Sequence, residues 1–145
     1  MLDLFEGLTR CSIVQVGLDV TRKGSTNALG QAAIEAVEQW LAKPTEVNEA
    51  ACKRVRNSIF FPEPTQELEK AYIAGWLAAA VGCVSYDRAW LARDAALSVR
   101  NVVTLSSRLG YLTHDFIHTL PPFAQNAALG EQWFRDVEEA LTRQP

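Results

Sequence analysis

The stretch Ala71 to Val84, AYIAGWLAAAVGCV, decides how this chain is read. It is the most apolar segment of the sequence. It is too short for a membrane span, which needs about 20 apolar residues. A helix apolar on all sides belongs in the middle of other helices. Leu68, Tyr72, Ile73, Trp76 and Leu77 open its buried face, and Thr65 stands before it as an N-cap. Gly75, Ala78, Ala79, Ala80 and Gly82 are small, so neighbouring helices can approach it closely. The expectation is a central helix from Thr65 to about Val84.

Upstream, Leu29, Ala33, Val37, Trp40 and Leu41 recur at helical spacing, with Gln31, Glu35, Glu38 and Gln39 off that stripe. Proline disfavours helix in the residue before it, so this helix ends at Lys43-Pro44. Thr45 caps the next one. Glu46 and Glu49 sit in its first turn and Lys53, Arg54 and Arg56 in its last turns, where the helix dipole favours each sign. Val47, Ala51 and Val55 form its thin apolar stripe. Ser58 to Pro64, SIFFPEP, reads as a loop. Before all of these, Ser12 to Val20 admits either a strand or a helix. A lone strand cannot satisfy its own backbone, so a helix is expected, followed by a break at Lys23-Gly24-Ser25-Thr26-Asn27.

Downstream, Ser85 caps a helix over about Tyr86 to Leu105, and a weaker helical stretch covers Ser107 to Leu120. Pro121-Pro122 ends it. A last amphipathic helix spans Gln125 to Thr142, with Leu129, Trp133, Val137 and Leu141 on one face. Short turns imply antiparallel neighbours. The expected fold is all-α, an up-and-down bundle of about six or seven mostly antiparallel helices in a single domain over residues 1–145. Trp40, Ile73, Trp76, Leu77, Val81 and Trp133 are expected in one core.

A chain of 145 residues can bury such a core without disulfide or metal staples. Its net charge of -3 offers no electrostatic grip on nucleic acid or an anionic membrane. Cys11, Cys52 and Cys83 are odd in number and widely spaced, which fits reduced thiols, with Cys83 a small core residue. Asp3 and Glu6 precede any apolar stretch, so the N-terminus does not read as a secretory signal and the cytoplasm is expected.

Three places carry candidate chemistry. His114 and His118 lie one helical turn apart, a spacing that can ligate a transition metal. Asp115 falls off their shared face and no third ligand is at hand, so ordinary surface histidines are the commoner reading and no metal is expected. Tyr86, Asp87, Arg88 and Trp90 open a helix, as a core pair with a dipole residue or as a recognition patch. Phe60-Phe61-Pro62 either plugs the end of the core or anchors a partner. No Gly-rich phosphate loop, nucleophile elbow or paired-cysteine motif is present, so no catalytic residue, cofactor or enzymatic activity is expected.

The stretch Ala32 to Val55, AAIEAVEQWLAKPTEVNEAACKRV, together with AYIAGWLAAAVGCV, resembles small all-helical immunity proteins of bacterial toxin systems. A helix ending in Trp-Leu, a short Pro-Thr turn and an Ala-rich helix pair recur there. The likeness covers about half the chain, and residues 100–145 depart from it. It implies a cytoplasmic protein that binds and neutralises a cognate toxin, and no functional residue carries over. The alternatives are a metal-binding helical protein or enzyme using His114 and His118, an accessory or chaperone subunit of a secretion system, and a homodimer. For a protein-binding role, the expected interface is the corner of Phe60, Phe61, Glu63 and Glu67, where two rings can anchor and the acids, Glu69 included, can steer. Asp136, Glu138 and Glu139 are a second acidic supply.

Overall fold

The computed structural model describes residues 10–24, 26–60, 68–82 and 91–125, with 131–132, 135–136 and 139. Among these residues every regular element is helical. They are α1 (Arg10–Thr21), α2 (Ala28–Ala42), α3 (Glu46–Phe60), α4 (Leu68–Gly82), α5 (Leu91–Arg108), α6 (His114–His118) and α7 (Pro122–Gln125). The strand alternative for Ser12 to Val20 falls away, because α1 covers the whole segment. None of these helices is long and apolar enough to cross a membrane.

The apolar stretch takes the central place. α4 packs against α1, α2, α3 and α5. Ala71, Ala74, Leu77, Ala78, Ala80 and Val81 are fully buried on it. Side chains this small bring neighbouring backbones close, and α3 uses this. A Cβ on Gly82 would lie 2.6 Å from the backbone nitrogen of Lys53, and one on Gly75 would lie 2.9 Å from Ile59 Cγ2. The two contacts run in opposite directions along the two chains, so α3 and α4 are antiparallel. α1 packs chiefly against α5 rather than against its sequence neighbour α2. The seam closes at Gly17, where a Cβ would lie 2.9 Å from Val99 and 3.0 Å from Leu77.

Several local expectations hold. Asn27 Oδ1 accepts from the Gly30 N–H at 3.0 Å and caps α2, while Thr45 Oγ1 accepts from the Asn48 N–H at 3.3 Å and caps α3. Trp40, Ile73, Leu77 and Val81 share one core. Trp76 is only partly buried at its edge, and Trp133 lies outside the described residues.

Other expectations are corrected. α3 runs on to Phe60, so Ser58 to Phe60 are helical rather than loop, and Lys53, Arg54 and Arg56 sit mid-helix. Ser58 Oγ donates back to the Arg54 carbonyl at 3.1 Å, a bond compatible with the helix continuing. The close approach at Gly75 and Gly82 turns Cys52 and Ile59 inward, and Val47 is left 74% exposed. Leu29 is also exposed, since Gly30, Ala33 and Val37 carry the inner row of α2.

The weak stretch from 107 to 120 is two elements with a defined stop between them. Gly110 has φ +78°, its N–H bonds the Ser107 carbonyl at 3.1 Å, and the Tyr111 N–H bonds the Ser106 carbonyl at 2.9 Å. This paired closure ends a helix on a left-handed glycine. The helical stretch does stop short of Pro121-Pro122, at His118, and Pro122 then opens α7, which its missing N–H and fixed φ permit at a first helical position. The expected segments at Thr65, Cys83, Ser85 and most of the C-terminal helix lie outside the described residues.

Candidate functional site

The C-terminal end of α3 places Phe60 against α4. Its ring centroid lies 5.1 Å from that of Trp76 and 5.7 Å from that of Tyr72, both tilted. Such pairs add to the burial of each ring. Gly75 leaves the room for this, because a Cβ there would lie 3.0 Å from the Phe60 ring. Phe60 is therefore clasped at the margin of the core. Phe61, Glu63 and Glu67 lie outside the described residues, as do Tyr86, Asp87, Arg88 and Trp90. Of the second acidic supply, Asp136 is half-buried and accepts from Gln132 Nε2 at 2.8 Å, and Glu139 is exposed.

The opposite end of α3 forms a rigid corner with α2. Pro44 breaks the helix and Thr45 restarts it. Asn48 Nδ2 donates to the carbonyl of Lys43 at 2.8 Å and to that of Gln39 at 3.4 Å, adding a second donor to oxygens that already accept from the Thr45 and Lys43 N–H groups. Val47 stands out from this corner beside the exposed Glu46. A single exposed apolar side chain is common on protein surfaces. Among the described residues it is the most exposed large hydrophobic one, and hydrogen bonds hold the backbone on both sides of it.

Behind the corner lies a junction that no local pattern in the sequence announces. Arg10 stacks its guanidinium 4.9 Å from the Trp40 ring centroid, pairs with Glu49 and donates to the Val81 carbonyl near the end of α4. One side chain thereby ties α1 to α2, α3 and α4, and a cation at a helix C-terminus also suits the dipole. Cys52 is fully buried nearby. Burial first, and the Glu49 charge second, push its thiol up to about 11, against an opposing pull from Arg10. A protonated, enclosed thiol is a packing group and not a nucleophile.

The histidine pair occupies α6. Both rings are exposed, with Nε2 atoms 2.9 Å apart and ring planes 88° apart. One nitrogen donates and the other accepts. Asp115 is exposed on the same short helix. Among the described residues no group of three or more His, Cys, Asp or Glu side chains could hold a metal ion. The segment is nonetheless anchored. Lys23 Nζ lies 4.5 Å from the Phe116 ring centroid, and a Cβ on Gly24 would run into the Tyr111 ring. No family model matches the chain, and neither a curated protein nor a solved structure matches it.

Proposed function

We propose that this chain is a protein-binding domain that acts by docking and not by chemistry, in the manner of the small helical immunity proteins whose sequence pattern it resembles. The observation that carries the reading is the α2–α3 corner. Trp40 and Leu41 at the end of α2, the Pro44-Thr45 turn and the Ala-rich α4 belong to one packed unit. That unit holds Val47 outward on fixed backbone. A rigid apolar anchor with an acid beside it suits a protein surface, because no ordering cost falls on the corner and the charge sets register. The occupant is a protein with a basic surface, the charge complement of a chain at -3.

The probe is the purified product of any toxin-bearing gene found adjoining this one, titrated calorimetrically against the intact chain. Binding is expected, with growth rescue when the two are co-expressed. Val47→Asp should weaken it by about tenfold or more, near 1.4 kcal/mol. An exposed substitution should shift stability by only about 0.5 kcal/mol. Glu63→Lys and Glu67→Lys, run in parallel, test the Phe60–Glu67 corner. If Val47→Asp binds as wild type while the Glu variants do not, the interface lies at that other end of α3. If the wild-type chain neither binds nor rescues, the immunity reading fails.

A further inference from the structure

The geometry points to a two-histidine chelate for Cu(II) or Ni(II) on α6, with Nε2 of His114 and Nε2 of His118 as the protein ligands and solvent in the remaining positions. It stands apart from the protein-binding reading and needs no partner. The first support is the separation itself. Two imidazole nitrogens 2.9 Å apart, each about 2.0–2.1 Å from a metal, subtend an angle of about 90° there. A tetrahedral ion would need them about 3.3 Å apart by the same bond length. The right-angled bite is that of tetragonal Cu(II) or octahedral Ni(II), to which imidazole is a suitable ligand. In the metal-free state one ring donates to the other. Both rings are exposed, so the donor ring exchanges its Nε2 proton through solvent for one on Nδ1, and small turns about the Cβ–Cγ bonds then aim both Nε2 lone pairs at one ion.

The second support is preorganisation. A helix of five residues is far below the roughly 12–15 that hold together alone. This one is fixed from outside. Thr113 Oγ1 accepts from the Phe116 N–H at 3.1 Å, and Thr119 Oγ1 donates to the Phe116 carbonyl at 2.6 Å. Gln125 Nε2 donates to the Leu120 carbonyl at 2.7 Å and reaches the His118 carbonyl at 3.4 Å. The two imidazoles are thus held one turn apart before any ion arrives, and the ion need not order the backbone.

The test titrates NiCl2 into the full-length chain by calorimetry, with Ni(II) chosen because the Cys11 thiol does not reduce it. One equivalent is expected to bind, and saturation should raise Tm, since the ion binds the folded turn. His114→Ala and His118→Ala should each weaken binding by at least the roughly tenfold that loss of even a supporting partner costs a metal site. The Tm increase should vanish with it. Both positions are exposed, so each variant should fold, as circular dichroism will show. Half the binding signal lost in each variant at unchanged affinity would mean two independent histidines and would overturn the chelate. Stoichiometric binding that survives both substitutions, or Zn(II) held more tightly than Ni(II), would overturn it as well.

Discussion

At the scale of single residues, the long-range contacts are the ones least visible in sequence. Arg10 precedes the first clear apolar pattern and meets partners at positions 40, 49 and 81. Nothing in its neighbourhood predicts this, because the specificity lies in how four helices converge. Cys52 is similar. Helical spacing favours the stripe Val47, Ala51 and Val55, yet the close approach of α4 selects Cys52 instead. The thiol's titration then becomes a stability statement. Its folded value stands near 11 against an ordinary 9.0, so the unfolded chain loses this proton first. Folding stability from this group is complete below about pH 9 and declines as pH rises toward 11. Urea denaturation of wild type and Cys52→Ala between pH 8 and 11 will check it. The wild-type curve should fall more steeply than that of the variant, and parallel curves would remove the thiol from the alkaline transition.

At the scale of elements, α2 and the core of α4 were legible because period and punctuation agree there. The Pro44-Thr45 break, the acidic first turn of α3 and the small residues of α4 each have a local cause. The end of α3 was not legible. Two phenylalanines ahead of Pro62 look like a loop until Tyr72, Gly75 and Trp76 are present to receive one of them. The His114–His118 spacing was legible, whereas the clamps from Thr113, Thr119 and Gln125 were not. The α3–α4 seam gives a sharp ranking of two glycines. Alanine is the better helix former by about 1 kcal/mol. At Gly82 the added methyl meets the Lys53 backbone, which cannot swing aside, so overpacking at about 1–3 kcal/mol wins. At Gly75 it meets the side chains of Ile59 and Phe60, which have some freedom to move. Gly82→Ala should therefore destabilise more than Gly75→Ala in chemical denaturation. The reverse order would show that the seam is set by the aromatic cluster and not by backbone contact.

At the scale of the whole molecule, the all-helical class follows from the sequence, but the order of packing does not. Short turns suggest that neighbours in sequence are neighbours in space, and α1 instead lies mainly on α5. Gly17 permits this by letting Val99 and Leu77 press on the α1 backbone. Leu77 is fully buried on the central helix, at the place where α1, α4 and α5 meet. Its removal therefore tests whether the helices stand or fall together. Truncating a buried leucine to alanine costs about 2–5 kcal/mol through lost burial and the cavity left behind. A domain's whole stability is about 5–15 kcal/mol, so Leu77→Ala should consume a large part of it. Each kcal/mol moves Tm by about 2–4 °C at this size, and a fall of roughly 4–20 °C is expected on those terms. Because α4 touches four other helices, the loss should appear as one transition, with far-ultraviolet and near-ultraviolet circular dichroism melting together. If the near-ultraviolet signal melts first while helicity persists, the centre at Leu77 does not couple the helices, and α1 with α5 holds together without α4.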